Sequence, residues 1–436
     1  MLTRLIMRNF KKFEEADVEL GKAVVLIGPN NSGKTSALQA LALWEIGLRQ
    51  WKAKRGGKAS PEKRPGVTIN RGDLIPIPIP DANLLWRDRN VRHVERVGAK
   101  QRTQNIRIDV IVEGITGGKQ WSCGLEFDYS NEESFVCRPV RQPGYETVPV
   151  KEARFTEIPP EADSVHVAFL PPMSGLAATE PKWEPGRINV LLGEGQSAQV
   201  LRNLCFQFYD KPEPKTEWSE FAAHILKLFG VTLLPPRYLK ERGEITMTYK
   251  ERRGIEFDLS SSGRGVQQTL LLLAHLYANP QSVLLLDEPD AHLEILRQLQ
   301  IYQVLTEVAN KQGSQIIAAS HSEIILNQAA DRDIVIAFVG KPHRMDDRGS
   351  QVLKSLTEIG FDHYYQAEQT GWVLYLEGPT DLAILQALAV ILNHPAAQVL
   401  ERPFVHYVQT NLPQRARDHF FGLHEAKTDL VGIAIF

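Results

Sequence analysis

The chain has 436 residues, with 50 Lys and Arg against 52 Asp and Glu and a formal net charge of -2. That length suits two or three domains with large cores, while the near-neutral balance excludes a global electrostatic footprint for nucleic acid and leaves only local basic patches such as Arg402, Arg415 and Arg417. Three cysteines, Cys123, Cys137 and Cys205, are too scattered for a zinc ribbon and too few for a disulfide framework, which argues for the reducing cytoplasm.

Met1 to Phe10 alternates apolar and polar residues, the period of a half-buried strand, and lacks the long apolar core of a signal peptide. Apolar stretches elsewhere, such as Ala383 to Leu392, fall short of the roughly 18 to 20 residues of a membrane-spanning helix. Ala23 to Ile27 is a continuous apolar run, followed by Gly28, Pro29, Asn30, Asn31, Ser32, Gly33, Lys34, Thr35 and Ser36, and Ala37 to Leu43 then reads as helix. The order strand, glycine loop, helix satisfies G-x-x-x-x-G-K-[ST]. Glycines let backbone N–H groups turn toward phosphate oxygens, and the helix adds its positive end. Lys34 is placed along the β- and γ-phosphates and the Thr35 hydroxyl on magnesium, so ATP and Mg2+ are the expected ligands.

Arg49, Lys52, Lys54, Arg55, Lys58, Lys63 and Arg64, with Trp51 nearby, form a basic, glycine-bearing stretch. It reads either as a contact for a phosphate backbone or as a solvated loop, since Gly56, Gly57, Pro61 and Pro65 spoil regular structure. Arg107 to Glu113 and Gln120 to Phe127 suggest a hairpin about a glycine turn, and Val165 to Leu170 a further strand. Residues 195 to 229 read as helical, interrupted by Lys211, Pro212, Glu213 and Pro214. No sustained heptads run through residues 50 to 258, so a long coiled-coil arm is not expected there.

A serine and glycine loop, Ser260, Ser261, Ser262, Gly263, Arg264 and Gly265, opens an apolar helix from Thr269 to Leu276. Such a loop can offer hydroxyls and N–H groups to an anion, or can simply cap the helix. Val283 to Leu286 is apolar without alternation, the pattern of a strand buried on both faces of a parallel sheet, and ends in Asp287 and Glu288. Carboxyl ends of parallel strands are where such sheets bind ligands, which places Asp287 on the metal and Glu288 on the attacking water. A second buried strand, Gln315 to Ala319, ends in Ser320 and His321.

The order of these motifs resembles the ATP-binding-cassette superfamily, whose signature loop stands shortly before the Asp-Glu pair, as Ser261, Ser262, Gly263 and Gly265 do here. The resemblance implies a homodimer or a higher even-numbered oligomer, in which the signature loop of one protomer closes over the γ-phosphate held by the other. It also implies that His321 contacts that phosphate. The opening strand, through Asn9, Phe10 and Phe13, resembles SMC-like and repair-type ATPases that work on DNA. The expected fold is therefore α/β: an ABC-type P-loop ATPase head over residues 1–350, with a β-rich arm and a small helical subdomain inserted within about 51–258.

After a linker at 351–371, Trp372 to Leu376 reads as a buried strand ending in Glu377, Gly378, Pro379, Thr380 and Asp381, with a helix from Leu382 to Ala389. This resembles the first half of a Toprim domain, the metal-dependent cleavage module of topoisomerases, primases and nucleases, with Glu377 as first catalytic carboxylate. Asp381 is open between a metal ligand and a helix-dipole partner. An SMC-like head followed by Toprim is the arrangement of the OLD family of ATP-dependent nucleases, many of them anti-phage. Such domains carry a second acidic cluster after a later strand; here Leu430 to Phe436 is that strand and the sequence stops, so residues 372–436 read as an incomplete Toprim domain. The resemblance implies an ATP-gated, magnesium-dependent DNA endonuclease; the alternative is an ATPase scaffold or sensor that holds and releases an effector protein without cutting.

Overall fold

Alternation at the start of the chain sorts side chains to two faces of a strand, Leu2–Phe10, whose Leu2, Leu5, Met7 and Phe10 are buried. A computed structural model describes the chain except residues 56–65, 98–99, 146–147, 151, 174, 212–214, 252, 331 and 346–358. It divides into two units, Met1–Ile336 and Ala337–Phe436.

In the first unit, Leu2–Phe10 pairs on one side with Phe13–Glu19 and on the other with Arg107–Thr116, opening a six-stranded sheet that continues through Lys119–Asn131, Ser134–Pro139 and Val67–Asn70. Every neighbour is antiparallel. The expected hairpin is present: Thr116 faces Lys119 across Gly117 and Gly118, both at positive φ (58° and 80°), as a two-residue turn between right-twisted strands requires. Four strands of the insertion, Arg107–Thr116, Lys119–Asn131, Ser134–Pro139 and Val67–Asn70, thus share one sheet with the N-terminal strands, while Arg92–Val97 and Lys100–Asn105 pair separately. Ile108, Val110 and Val112 bury on the same core that the opening strand needs to cover.

The second sheet runs in the order Val167–Leu170, Val283–Asp287, Gln315–Ser320, Ala23–Ile27, Ile334–Ala337. Its first four strands are parallel. Val283–Asp287 and Gln315–Ser320 are buried at every residue, which is why they show no alternation. The helix Lys34–Arg55 packs against strands of both sheets and is apolar almost all round from Ala37 to Leu48. Trp44 stacks on Trp121 at 6.1 Å, and Gly47 lets the helix approach Leu125, Phe127 and Cys137, because a Cβ there would lie within 2.9 to 3.2 Å of their side chains.

The helical subdomain comprises Pro185–Gly193, Leu201–Tyr209 and Lys215–Phe229; Pro212, Glu213 and Pro214, expected to interrupt it, lie outside the described residues. An aromatic cluster of Phe208, Trp218, Phe221 and Tyr277 fastens it to the long buried helix Arg264–Ala278. Three cysteines are buried and free.

In the second unit, Trp372–Leu376 lies between Val405–Tyr407 and Val431–Ala434, parallel to both. Helices Pro379–Ile391 and Pro413–Ala426 make the crossovers. Most of the expected 351–371 linker that is described, Phe361–Thr370, is a helix, because Tyr364 and Ala367 find buried places; residues 351–358 are outside the description.

Candidate nucleotide site

Register brings distant motifs together. Asp287 stands opposite Ala319, Ala319 opposite Leu26, and Ser320 opposite Ile27, so three parallel strands end at one level. Immediately beyond lie the Gly28–Thr35 loop, Glu288 and His321. This is the carboxyl edge of the sheet, the ligand-binding edge of α/β folds.

The loop is shaped by its backbone. Gly28, Asn31 and Gly33 hold φ of 153°, 60° and 107°. At Gly33 a Cβ would meet Phe13 Cζ at 2.4 Å, so glycine is required both for the angle and for the space. Lys34 is buried and its Nζ donates to the carbonyls of Gly28 at 2.7 Å and Pro29 at 3.0 Å; His321 Nε2 lies 3.2 Å from it. Burial depresses the ammonium to about 8, against the opposing pull of Asp287, Glu288 and Asp290. An anion beside it would restore the charge, which fits a phosphate ligand.

Thr35 Oγ1 donates to Asp287 Oδ1 at 3.1 Å. Burial raises the Asp287 carboxyl to about 6. A hydroxyl and a desolvated carboxylate side by side are a hard oxygen pair suited to Mg2+. His321 Nε2 is 3.6 Å from Glu288 Oε1, and burial followed by the Lys34 charge pushes the imidazole below its ordinary range. Glu288 itself adopts φ +50°, a left-handed backbone that a glutamate enters only when its surroundings impose it; its N–H is fixed on the Ala319 carbonyl at 2.9 Å.

Lys34, Thr35, Asp287, Glu288 and His321 thus stand together at one end of the sheet. Two further groups escape motif spacing. Lys12 Nζ donates to the Asn31 carbonyl and places a second cation at the loop. Asp290 Oδ1 accepts the Ser320 hydroxyl at 2.6 Å, and that hydroxyl accepts the Ser322 N–H at 2.9 Å, which fixes the turn carrying His321. Asp290 belongs to the same acidic run as Asp287, the one signal available for it.

The serine and glycine loop stands at the start of Arg264–Ala278, with Gly263 as N-cap and no side-chain cap bond. Ser261 and Ser262 hydroxyls donate instead to the carbonyls of Asp258 and Leu259. Behind the loop, buried Arg202 donates to Asp258 Oδ1 at 3.1 Å and lies 3.7 Å from buried Glu180, while Asp258 Oδ1 also accepts from Ser260 N and Oγ. Nothing in the motif spacing singles out Arg202.

The basic stretch does not form a loop in its described half. Arg49 to Arg55 end the helix that Lys34 begins, where cations complement the carbonyl pole. Arg49 pairs with Glu45, Lys52 with Asp163 at 2.9 Å, and Lys54 and Arg55 donate to the carbonyls of Thr68 and Gly66. Lys58, Lys63 and Arg64 lie outside the described residues.

In the second unit, Glu377 is exposed at the end of Trp372–Leu376, and Asp381 Oδ2 accepts the Gly378 N–H at 2.8 Å at the start of Pro379–Ile391. Asp381 therefore acts as a helix-start partner in this structure.

A phosphate loop, a strand-end Asp-Glu pair and a helix-opening loop on a parallel sheet define a P-loop ATPase domain. Residues 113–327 match the family described as "AAA domain, putative AbiEii toxin, Type IV TA system", and residues 1–44 the family described as "AAA ATPase domain". No curated protein matches the chain. Among solved structures, the SMC head domain from Thermotoga maritima is 14% identical, with 79% of this chain and 98% of that one covered at a TM-score of 0.41. A SmcHead bound to the C-winged helix domain of ScpA is 14% identical, with 79% and 97% covered at 0.44. An Smc head with an extended coiled coil, bound to the C-terminal domain of ScpA and derived from Pyrococcus furiosus, is 14% identical, with 81% and 99% covered at 0.42. Among the described residues no helix is long and apolar enough to cross a membrane.

Proposed function

We propose that the first unit is an ABC-type head that binds and hydrolyses ATP in pairs, and that it gates a Toprim-like, Mg2+-dependent DNA cleavage site in the second, as in an OLD-like nuclease of anti-phage or DNA-processing type. The observation that carries the ATPase half is the convergence of Lys34, Thr35, Asp287, Glu288 and His321 at one strand level. Lys34 and the loop N–H groups hold the phosphates, Thr35 and Asp287 hold Mg2+, and Glu288 orients and deprotonates the attacking water. Magnesium supplies charge neutralisation on phosphate oxygens when bound. His321 bridges the terminal phosphate and the base, a role supported by its nearness to both Lys34 and Glu288. Ser261, Ser262, Gly263 and Gly265 supply the lid to the neighbouring copy.

The nuclease half is supported by the order strand, Glu377, Gly378, helix in a three-stranded parallel sheet. A second reading, an ATPase scaffold that holds and releases an effector protein, is favoured by one observation: Asp381, the carboxylate nearest in sequence to Glu377, is engaged with the Gly378 N–H. Incubation of plasmid DNA with the protein, ATP and Mg2+ separates the two. Nicking abolished by Glu377→Ala with ATP turnover intact supports the nuclease, no nicking at all supports the scaffold, and nicking that survives the substitution removes Glu377 from the cleavage site. For the head, Lys34→Ala abolishes nucleotide binding, whereas Glu288→Gln keeps binding and slows turnover by about 10²- to 10⁴-fold. Parental turnover in Glu288→Gln would remove the glutamate from its role.

A further inference from the structure

Three imidazoles meet in the second unit, none of them belonging to the motifs used above. His363 comes from the helix Phe361–Thr370, His406 from the strand Val405–Tyr407 and His419 from the helix Pro413–Ala426. One ring nitrogen of each lies within 4.8 Å of the others. His363 Nδ1 is 2.9 Å from His419 Nε2, and the rings of His406 and His419 stack at 3.8 Å. Tyr375, facing His406 in strand register, has its hydroxyl 2.9 Å from His419 Nδ1.

We propose that His363, His406 and His419 form a binding site for one divalent transition cation of the zinc class, with Tyr375 orienting His419 from behind. Part of the geometry suits it: His419 Nε2 faces His363 Nδ1, whereas the His406 ring, stacked within 16° of parallel on His419, must turn on binding to bring in its lone pair. Zn–N bonds of roughly 2.0 to 2.1 Å in a tetrahedron set neighbouring nitrogens about 3.3 Å apart, and the His363–His419 pair already stands a few tenths of an ångström from that. The Tyr375 hydroxyl, 2.9 Å from Nδ1, holds the His419 ring by that nitrogen and leaves Nε2 on the side of His363, the second partner that ligating histidines regularly have. A hydrogen-bonded relay from Tyr375 through His419 to His363 would explain two of these contacts and leave His406, stacked on His419, without a part in it.

Donor chemistry selects the ion. An all-imidazole set suits zinc, cobalt, nickel or copper and disfavours Mg2+, which prefers hard oxygens, so this site and the Thr35–Asp287 pair sort different metals. Coordination would staple two helices and the strand Val405–Tyr407, elements separated in sequence by the central strand and its crossover.

Zn2+ added to the chelator-stripped full chain tests it, with 15N-imidazole NMR and thermal unfolding as readouts. One tightly held Zn2+ per chain, shifts confined to His363, His406 and His419, and a rise in the unfolding temperature of the second unit are expected. His406→Gln and His419→Gln abolish the stoichiometric binding and the Zn2+-dependent rise, His394→Gln leaves both unchanged, and Tyr375→Phe keeps the stoichiometry with affinity about 10-fold weaker. Absence of a bound equivalent, or undiminished binding in His419→Gln, overturns the proposal. If a substitution prevents folding, the imidazole shifts of the unaltered protein decide: signals moving at other histidines, or at none, overturn it as well.

Discussion

On the proposed reading, Asp287 is one buried carboxylate that both creates a metal site and makes it sensitive to pH. Desolvation raises it to about 6, so the protonated form, which cannot ligate, is favoured below that value and the carboxylate above it. The sign follows: Mg2+ affinity of the nucleotide-free protein is retained above about 6 and is lost as pH falls through it, by about tenfold per pH unit. Calorimetric titration of Mg2+ between neutral and acid pH checks this, and Asp287→Asn removes the dependence along with the binding. Lys34, held to about 8 by the same burial, gains from a phosphate partner what Asp287 gains from a cation. The residues of this site are legible in the sequence because phosphate chemistry constrains them to a short spacing after a strand. Lys12, Ser320 and Asp290 are not, because their placement depends on loops meeting across the sheet rather than on any local period.

At the scale of elements, the loop before Arg264–Ala278 is held from behind. Arg202, fully buried, reaches Asp258 and two carbonyls, Ala177 and Ala178, and Asp258 holds Ser260 through both its N–H and its hydroxyl. Removing the guanidinium leaves Glu180 buried without its cation. Arg202→Met is therefore expected to destabilise the first unit by about 3 kcal/mol. It should also loosen Ser261 to Gly265 and reduce ATP turnover more than ATP binding. Denaturant unfolding and steady-state kinetics measure the two effects separately; unchanged stability would refute the network. Elements with a clear period, such as the Arg107–Thr116 hairpin and the unbroken apolar strands, are legible in the sequence. The cations from Arg49 to Arg55 are not, because glycines and prolines just downstream mask a helix whose end they only follow.

At the scale of the molecule, a site shared between copies has a signature that no single variant displays. If the proposed lid closes over a neighbouring copy's phosphate loop, Lys34→Ala disables the loop and Ser262→Arg the lid, and each alone should lack turnover. In a mixture, a pair formed from one of each retains one site with an intact loop and an intact lid. ATP turnover should reappear on mixing, measured as phosphate release against the two variants apart; its absence would count against composite sites. Separation of the chain into two units is only partly legible in the sequence. Strand and helix patterns recur on both sides of Ile336, and no run of linker composition marks that residue.

The central place of Ala23–Ile27 in its sheet has a cost during synthesis. Its neighbour Gln315–Ser320 is translated roughly 290 residues later, which at about 5 to 20 residues per second is some 15 to 60 seconds. Throughout that interval an apolar ribbon sits on the ribosome with its hydrogen-bonding edge unanswered, and the nascent head should lean on chaperones until its last-made strand arrives.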